Sequence, residues 1–360
     1  MLQKILIYGA GAIGRGYLAP LLQKYGIKIS FVDTNNVLIT ELKSRKSYTT
    51  AVTVSSDYEF VTVPVDNAFF FGEDINVEDY DLVFSCVGPN HCYDLAEDLK
   101  RAKAVISCEN DMATVNGLQK LTCNPNIYFG IPDVITSNTA PPELLKEDPL
   151  MAVTEQGVLV LEKGNYALPE EILQFGPDEL HMHWMCKLFI HNAPHAIVAY
   201  LGWLKGYTYI HEAMADSDIN EIVVGSISEI TDGVIAAEFS DKTYANKYKI
   251  KELKRFSNTL LYDTIKRVAR EPIRKIAYDN RLVLGLRIAL FNGQLPSNTA
   301  KGLKAALLYG DNTDKEAIYL QSIRSSNSDS EILKKFSKID QFEPMNKFIT
   351  DQDLSPFTKR

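Results

Sequence analysis

The feature that most constrains the fold is a glycine-rich turn directly after the first apolar run of the chain. Residues 4–8 (KILIY) form that run, and residues 9–14 (GAGAIG) match the pattern GxGxxG. Residues 12–25 then carry apolar side chains at helical spacing. A buried strand, this turn and a helix together are typical of dinucleotide-binding domains, because the helix N-terminus attracts the pyrophosphate.

An acidic residue stands where such a domain binds ribose. Asp33 follows the second apolar run, residues 28–32 (KISFV), and lies 19 residues after Gly14. No arginine occurs at positions 34–36, so we expect the acid to repel a 2′-phosphate and to favour NAD over NADP. The alternatives are a turn without a ligand and, for Asp33, a helix cap. The predicted cofactor-binding residues are Gly9, Gly11, Ile13, Gly14, Arg15 and Asp33.

The following segments predict the rest of the first domain. Apolar runs at residues 81–87, 104–108 and 127–131 alternate with helical stretches, as in βαβ units. Residues 47–71 are rich in β-branched and aromatic side chains and predict an antiparallel insertion. Residues 151–162 still have the composition of strands.

The chain length and the later pattern predict two domains. A chain of 360 residues exceeds what one core usually serves, and the pattern becomes helical from about residue 183. The predicted fold class is α/β, with an N-terminal Rossmann-type doubly wound sheet carrying an antiparallel insertion, followed by a mainly α-helical C-terminal domain. The predicted domains are residues 1–180 and 181–360.

Composition narrows the partners and the location. A formal charge of −8 argues against nucleic acid and anionic membranes as partners. No segment reaches the roughly 18 consecutive apolar residues of a membrane span, and the start lacks a signal-peptide pattern. Five cysteines without a CxxC pair fit a reducing compartment. We expect a cytoplasmic protein, a monomer or small homo-oligomer, whose partner is a small molecule.

The segment 181–202 contains the densest local set of reactive side chains. On a helix, Lys187, His191 and His195 fall on one face, and Asn192 lies close to it. A lysine among apolar neighbours is a candidate general base, because burial disfavours its ammonium form. The alternative is a surface lysine with core histidines.

A metal site is a further alternative for this segment. Its ligand-type side chains lack an HExxH pattern and paired cysteines, so we predict no metal. The candidate ligands are His181, His183 and Cys186.

Five segments match the motifs of one family. They are residues 9–16 (GAGAIGRG), 86–89 (CVGP), 107–110 (SCEN), 187–202 (KLFIHNAPHAIVAYLG) and 267–285 (RVAREPIRKIAYDNRLVLG). Over nearly its whole length the chain resembles the polyol-specific long-chain dehydrogenases, the mannitol dehydrogenase family. The KxxxxNxxH pattern of Lys187, Asn192 and His195 is specific to that family.

The resemblance implies a role for each matching residue. Lys187 corresponds to the general base, Asn192 and Asn110 to amides that bind the reacting oxygen, and His195 to a histidine that contacts substrate. Two neutral donors stabilise a developing alkoxide without competing for its proton. The short length and the Gly-Arg-Gly at 14–16 resemble the phosphosugar members. The implied reaction is reversible NAD-dependent oxidation of D-mannitol 1-phosphate to D-fructose 6-phosphate.

A phosphorylated substrate needs a cationic anchor. The segment 267–285 offers one, although its charges are equally compatible with solvated or acid-paired side chains. The candidates are Arg267, Arg270, Arg274 and Lys275, with Arg281 nearby.

One departure from the family pattern leaves the substrate open. The family carries a V-D-R-I segment whose aspartate contacts the polyol, whereas residues 132–138 here read PDVITSN. Asp133 is a substitute only from a shifted position. A dehydrogenase of another polyol, polyol phosphate or uronate is therefore the first alternative. The second is a non-catalytic NAD-binding sensor, against which the intact set of catalytic residues argues.

Overall fold

The computed structural model describes residues 3–138 and 140–358. The chain divides into two compact units, Met1–His181 and Met182–Arg360, and the division lies one residue after the predicted boundary. Among the described residues, no helix has the length and apolar character needed to cross a membrane.

The strands of unit 1 are β1 Lys4–Tyr8, β2 Lys28–Asp33, β3 Ser47–Val54, β4 Asp57–Pro64, β5 Asn67–Phe70, β6 Leu82–Ser85, β7 Val105–Ser107, β8 Ile127–Asp133, β9 Thr136–Ser137, β10 Ala152–Glu155, β11 Val158–Glu162 and β12 Leu173–Phe175. Eight of them form the main sheet, in the order β12-β11-β8-β7-β6-β1-β2-β5. The five strands β2, β1, β6, β7 and β8 run parallel, as predicted, and each begins within one residue of its apolar run. The antiparallel pair β8–β11 extends the sheet on one side.

The predicted antiparallel insertion is correct only in its first part. Strands β3 and β4 form an antiparallel pair within a second sheet of order β4-β3-β10-β9. Residues 67–70, which we assigned to the same insertion, instead form β5 and pair in parallel with β2 at the edge of the main sheet. The error arises because aromatic and β-branched residues favour any strand and do not specify the partner strand.

Helices cover the sheet and bury its apolar side chains. Ile5, Ile7, Phe31, Phe84 and Ile106 lie in one continuous core and have essentially no exposed surface. The first helical segment begins directly at the glycine-rich turn as a π-helix, Ala12–Leu18, and continues as α1. The α-helices of unit 1 are α1 Ala19–Gln23, α2 Asn36–Arg45, α3 Ala96–Arg101, α4 Ala113–Thr122 and α5 Pro142–Glu147, with 3₁₀ turns at Val77–Asp79 and Cys92–Leu95, and α6 Pro177–Met185 runs through the division between the units.

Unit 2 is helical, as predicted, and its described residues form no strand beyond a single bridge between Tyr209 and Thr264. Helix α6 continues into a π-helix, Cys186–Asn192, and then into α7. The α-helices that follow are α7 Ala193–Lys205, α8 Ile210–Ala215, α9 Ser217–Ala236, α10 Lys242–Phe256, α11 Ile265–Ala269, α12 Pro272–Lys275, α13 Arg281–Ala289, α14 Ser297–Leu307, α15 Lys315–Arg324, α16 Asp329–Ile332 and α17 Pro344–Thr350, with a π-helix at Leu333–Ser337 and 3₁₀ turns at Thr259–Leu261 and Leu290–Asn292.

Helix α7 is the centre of unit 2. Every residue from 193 to 202 is buried, so this part of the helix is enclosed on all sides. Most of its side chains are apolar, and His195 and Tyr200 are among the few polar ones. Helices α8, α9, α11 and α14 pack around it. A helix buried all round is typical of the core of a domain, and side chains placed on it are held by packing from every direction.

Arg15 has a structural position that differs from its predicted one. Its side chain is buried, and its guanidinium donates to the carbonyl oxygens of Ala10, at 2.9 Å, and Leu150. The same group lies 5.6 Å from the ring centre of Tyr48 in β3. These contacts direct the side chain to the second sheet, so we withdraw Arg15 as a cofactor-binding residue.

We expect Arg15→Met to lower the free energy of unfolding of unit 1 by about 1.5–3 kcal/mol, because two buried carbonyl groups lose a charged donor. Urea unfolding measures the change. Arg45→Met is the matched control, since the side chain of Arg45 is 40% exposed and paired with Glu41, and such surface pairs contribute at most about 1 kcal/mol. Equal effects of the two substitutions would contradict the structural role of Arg15.

Candidate active site

The glycine-rich turn lines a cavity of about 300 Å³ at the carboxyl ends of β1, β2 and β6. Gly9, Gly11 and Asp33 form part of its wall, together with Phe71 and Cys86. The carboxyl edge of a parallel sheet, where the strand order reverses, is the place where such domains bind nucleotides. The sequence prediction and the cavity therefore point to the same location.

The glycines of the turn meet different surroundings. Gly9 has φ of +94°, and a Cβ there would stand 2.5 Å from the carbonyl oxygen of Cys86, so a side chain is excluded. At Gly11 a Cβ would meet no atom within 4 Å, which leaves the backbone open to a ligand. A Cβ on Gly14 would collide with the carbonyl oxygen of Gly9, so this glycine allows the helix to pack on the strand. These surroundings fit a pyrophosphate at Gly11.

Asp33 is held at the edge of the cavity by two backbone groups. Its Oδ2 accepts a hydrogen bond from Ala10 N and its Oδ1 from Asn35 N, both at 2.8 Å. The cap of α2 is Asn35, whose side chain accepts from Leu38 N at 3.1 Å, so capping this helix does not require Asp33. Each carboxylate oxygen keeps acceptor capacity for a ribose hydroxyl.

A buried carboxylate, which the sequence reasoning missed, shapes the wall of the cavity. Glu109 is 4% exposed and accepts hydrogen bonds from the Ser85 hydroxyl, from Val87 N at 3.1 Å and from Gly88 N at 2.6 Å. Burial raises the pKa of this carboxyl. The residue lies in a segment that matched the family, but its partners lie more than twenty positions earlier and gave no local signal.

Asn110 and Asp133 also follow strands of unit 1. Asn110 comes shortly after β7, is exposed and has a left-handed backbone with φ of +56°. Asp133 is the last residue of β8 and is buried. Both stand at the carboxyl ends of their strands, and the predicted role of Asn110 in catalysis stays a prediction.

In unit 2 the π-helix sets the spacing of the predicted catalytic residues. Lys187 and Asn192 lie five positions apart within Cys186–Asn192, and they are 3% and 7% exposed. A π-helix joins residues i and i+5 by hydrogen bonds, so these two residues are one turn apart on the same face. A regular α-helix, which we assumed from the sequence, aligns positions three and four apart instead. Because Lys187 is 3% exposed, the alternative of a surface lysine is wrong.

Asn192 has a donor available for a ligand. Its Nδ2 atom is buried and has no hydrogen-bond partner among the residues that the structure describes. An unpaired buried amide is costly, so a native structure keeps one where a ligand or ordered water completes it. The geometry fits the predicted hydrogen bond from Asn192 to a reacting oxygen.

His195 is anchored by an acid that the sequence did not identify. Its Nε2 lies 2.8 Å from Oδ2 of Asp263, and the imidazole stacks on Phe256 with ring centres 4.9 Å apart. Burial lowers the pKa of His195, although the hydrogen bond and charge of Asp263 oppose that change. The carboxyl of Asp263 is itself held at a pKa of about 2 by Arg267 and His195, which outweigh its burial.

His191 has a parallel arrangement one turn earlier. Its Nδ1 lies 2.5 Å from Oε2 of Glu252, a carboxylate with no exposed surface that also accepts from Arg255 at 2.6 Å. The rings of His191 and His195 have centres 5.0 Å apart. Helix α10 supplies Glu252, Arg255 and Phe256, more than fifty residues after the histidines in the chain.

Arg267, one of the predicted phosphate ligands, is paired with an acid of this cluster. Its Nε donates to Oδ1 of Asp263 at 2.9 Å and its Nη2 to the same atom at 2.5 Å. A guanidinium bound in this way neutralises an internal carboxylate. Arg274 pairs with Glu271 through the same two nitrogens, so this geometry alone does not exclude a phosphate ligand, and the predicted role of Arg267 stays a prediction.

The other predicted phosphate ligands lie together with Arg281. Arg274 pairs with Glu271 through Nε at 2.8 Å, and buried Lys275 donates to the carbonyl oxygen of Arg270. Burial and the charges of Arg281 and Arg274 lower the pKa of Lys275, and burial with Arg274 lowers the pKa of Arg281 to about 10. The carboxylate of Glu271 opposes both changes and is held at a lowered pKa by the surrounding cations.

The metal alternative receives no geometric support in the part of the chain described. No group of three or more His, Cys, Asp or Glu side chains there is arranged to hold an ion. His183 Nδ1 lies 2.8 Å from the hydroxyl of Tyr244.

These features define a class of protein. Unit 1 has the strand order, the glycine turn and the ribose acid of a dinucleotide-binding domain. Unit 2 places a buried lysine, an unpaired amide donor and an anchored imidazole on consecutive turns of one helix. Together they are the components of a nicotinamide-dependent dehydrogenase.

Comparisons with known proteins agree. Residues 3–123 match the family model described as the mannitol dehydrogenase Rossmann domain, and residues 179–352 match the mannitol dehydrogenase C-terminal domain. A mannitol-1-phosphate 5-dehydrogenase of Caldanaerobacter subterraneus subsp. tengcongensis is 30% identical over an alignment of 348 positions, and the match covers 88% of this chain and 89% of the relative. The enzyme of the same name from Clostridium acetobutylicum is 28% identical, with 96% and 97% covered.

Two solved structures show the same fold at low identity. Pseudomonas fluorescens mannitol 2-dehydrogenase, in a ternary complex with NAD and D-mannitol, matches with a TM-score of 0.76 at 18% identity, over 97% of this chain and 90% of that one. A substrate-free D-sorbitol dehydrogenase matches with a TM-score of 0.69 at 17% identity, over 96% and 91%. The chain belongs to the mannitol dehydrogenase family. The predicted family, fold class and class of enzyme are confirmed.

We expect Gly11→Val to weaken NADH binding at least about tenfold, because its side chain takes the space left for the pyrophosphate. Fluorescence titration with NADH measures binding, and thermal unfolding should show little change. Gly176→Val is the control, since a Cβ at Gly176 would also meet no atom within 4 Å and this residue lies outside the cavity wall. Unchanged binding in Gly11→Val would contradict the assignment.

Proposed function

We propose that this protein catalyses the reversible NAD-dependent oxidation of D-mannitol 1-phosphate to D-fructose 6-phosphate. The observation that carries the proposal is that buried Lys187 and Asn192, whose amide Nδ2 has no hydrogen-bond partner among the described residues, lie on one π-helical turn. Two relatives that share 30% and 28% identity with nearly the whole chain have the name of this enzyme, which supports the choice of substrate.

Lys187 is the general base of the proposed reaction. Its amine, in the neutral form, takes the proton of the substrate hydroxyl while the carbon bearing that hydroxyl loses a hydride. Asn192 donates from Nδ2 to the same oxygen and stabilises the charge that develops there. His195 orients the substrate through a hydrogen bond to another hydroxyl. Asn110 is proposed as the second amide donor, on the strength of its match to the family.

NAD is the proposed cofactor, and its nicotinamide ring supplies the hydride acceptor when bound. The cavity at Gly9 and Gly11 fits the pyrophosphate, and the residues that hold it are Gly9, Gly11, Ile13 and Gly14. Asp33 binds the ribose hydroxyls and repels a 2′-phosphate, which supports NAD over NADP. Lys187 handles the proton without a metal ion.

The substrate phosphate is proposed to bind at Arg270, Arg274, Lys275 and Arg281. The three arginines around the carboxylate of Glu271 leave an excess of positive charge that a phosphate dianion balances. Arginine in particular binds phosphate through two parallel N–H donors. This excess supports a phosphorylated substrate over a free polyol.

A second candidate function is the oxidation of another polyol, polyol phosphate or uronate. It is favoured by residues 132–138, where the family's V-D-R-I segment has no match in register. The acid within that segment is Asp133, which is buried at the end of β8. We also propose a cytoplasmic location, supported by five cysteines that form no disulfide among the described residues.

Lys187→Met should lower the rate of polyol oxidation by about 10² to 10⁴, the usual loss when a general base is removed. NAD binding should stay nearly unchanged, because the nucleotide residues belong to unit 1. Lys205→Met is the matched control on α7, since Lys205 is a partly buried lysine paired with Asp216. A Lys187 variant that keeps its rate would remove this residue from the mechanism, and a wild-type protein that binds NAD without oxidising any polyol would indicate a sensor.

Fructose 6-phosphate should be reduced much faster than fructose or a keto-uronate, because only the phosphate engages the cationic cluster. Arg274→Met should raise the KM for fructose 6-phosphate and leave the rate with fructose unchanged. Arg324→Met is the control, because Arg324 is similarly exposed and pairs with Asp329. The same assays with NADPH should be slower than with NADH. A preference for an unphosphorylated ketose would select the second candidate function.

A further inference from the structure

The backbone around Asp263 is fixed on both sides. Ile210 N donates to the carbonyl oxygen of Asp263 and Ile265 N to that of Thr208, both at 2.9 Å. These bonds flank the bridge between Tyr209 and Thr264. Asp263 is 4% exposed, so its carboxylate is carried into the interior of unit 2 by a segment with little freedom to move.

The two oxygens of Asp263 have separate partners. Oδ1 accepts two hydrogen bonds from Arg267, through Nε at 2.9 Å and Nη2 at 2.5 Å. Oδ2 lies 2.8 Å from Nε2 of His195. The arginine prevents the carboxylate from rotating and keeps it ionised, so the atom that faces the imidazole is always an acceptor.

An acceptor at this position determines the tautomer of a neutral imidazole. Nε2 of His195 must carry the hydrogen that it donates to Asp263, and Nδ1 then has the free lone pair. The ring plane is fixed by Phe256, which stacks on it at an angle of 10°. His195 in this state accepts a hydrogen bond at Nδ1 and offers no second donor.

We propose that Asp263 is a positioning residue that holds His195 in the Nε2–H tautomer, so that Nδ1 accepts a hydrogen bond from a substrate hydroxyl. The proposal rests on the proposed function for the identity of the ligand. It assigns a role to Asp263, which lies 68 residues after His195, and to Arg267 as the group that orients Asp263. Neither residue touches the substrate in this scheme.

Several charged groups surround the imidazole, and the test has to separate Asp263 from them. The π-helix that leads into the helix of His195 carries Lys187 and His191. Helix α10 packs beside it and contributes Glu252 and Arg255. Asp263 lies just before α11, and Arg267 lies on α11.

Asp263→Asn is the informative substitution. Arg267 continues to donate to the amide oxygen, which turns the amide Nδ2 towards His195 and favours the Nδ1–H tautomer. We expect kcat/KM for fructose 6-phosphate to fall about tenfold to a hundredfold, as when other histidine-orienting groups are lost. The KM for NADH should not change. Since Asp263 raises the pKa of His195, the acid limb of the pH profile should move to lower pH in the variant.

Two further variants separate positioning from general destabilisation. Asp263→Glu keeps the carboxylate and should recover most of the lost activity. Asp311→Asn is the matched control, because Asp311 is 5% exposed and paired with Lys266 at 3.0 Å but contacts no histidine among the described residues. Its kcat/KM and pH profile should match those of the wild-type protein.

A measurement on the wild-type protein keeps the proposal testable if the variants do not fold. Nitrogen chemical shifts of ¹⁵N-labelled histidine report the tautomer, and the His195 signals are those missing in His195→Gln. The Nε2–H form is expected, and the Nδ1–H form would overturn the proposal. Unchanged kcat/KM in Asp263→Asn beside an active wild type would overturn it too. A wild type inactive on every polyol would instead overturn the proposed function, and the shifts would still decide the tautomer.

Discussion

A charge buried in an apolar interior needs a partner, and the helix at the centre of unit 2 is organised around that requirement. Its histidines lie beside two buried carboxylates, and an unpaired ion in such an interior is strongly unfavourable. Glu252 and Asp263 pair with the histidines, and Arg255 and Arg267 pair with the acids. Each acid is therefore balanced from two sides. The chemistry of the helix depends on helix α10 and the segment before α11.

Local signals in the sequence predicted much of the fold and the position of the cavity at the glycine-rich turn. The run before Gly9 and the turn itself are neighbours in the chain, Asp33 lies at the spacing from the turn that the motif requires, and the parallel strands follow from their apolar runs. Glu109 and Asp263 could not be predicted in the same way. Each acts on groups more than twenty residues distant, and an isolated acid in a sequence gives no sign of the partner that folding brings to it.

The predictions that needed correction have a common cause. Arg15 was predicted to bind the cofactor. The structure instead directs its side chain to two backbone carbonyls inside the protein. Residues 67–70 were assigned to a hairpin because composition does not distinguish one strand partner from another. In each case the residue type was interpreted correctly and the long-range partner was unknown.

The π-helical turn at Cys186–Asn192 has a consequence for how the site is encoded. A π turn holds one more residue than a regular turn, so it changes the rotational phase between α6 and α7 without breaking the backbone. If the same residues were wound as a regular α-helix, every side chain would be kept but Asn192 would lie about 140° around the helix axis from Lys187. The winding of the backbone between the lysine and the asparagine is therefore as much a part of the candidate site as the identities of the two residues.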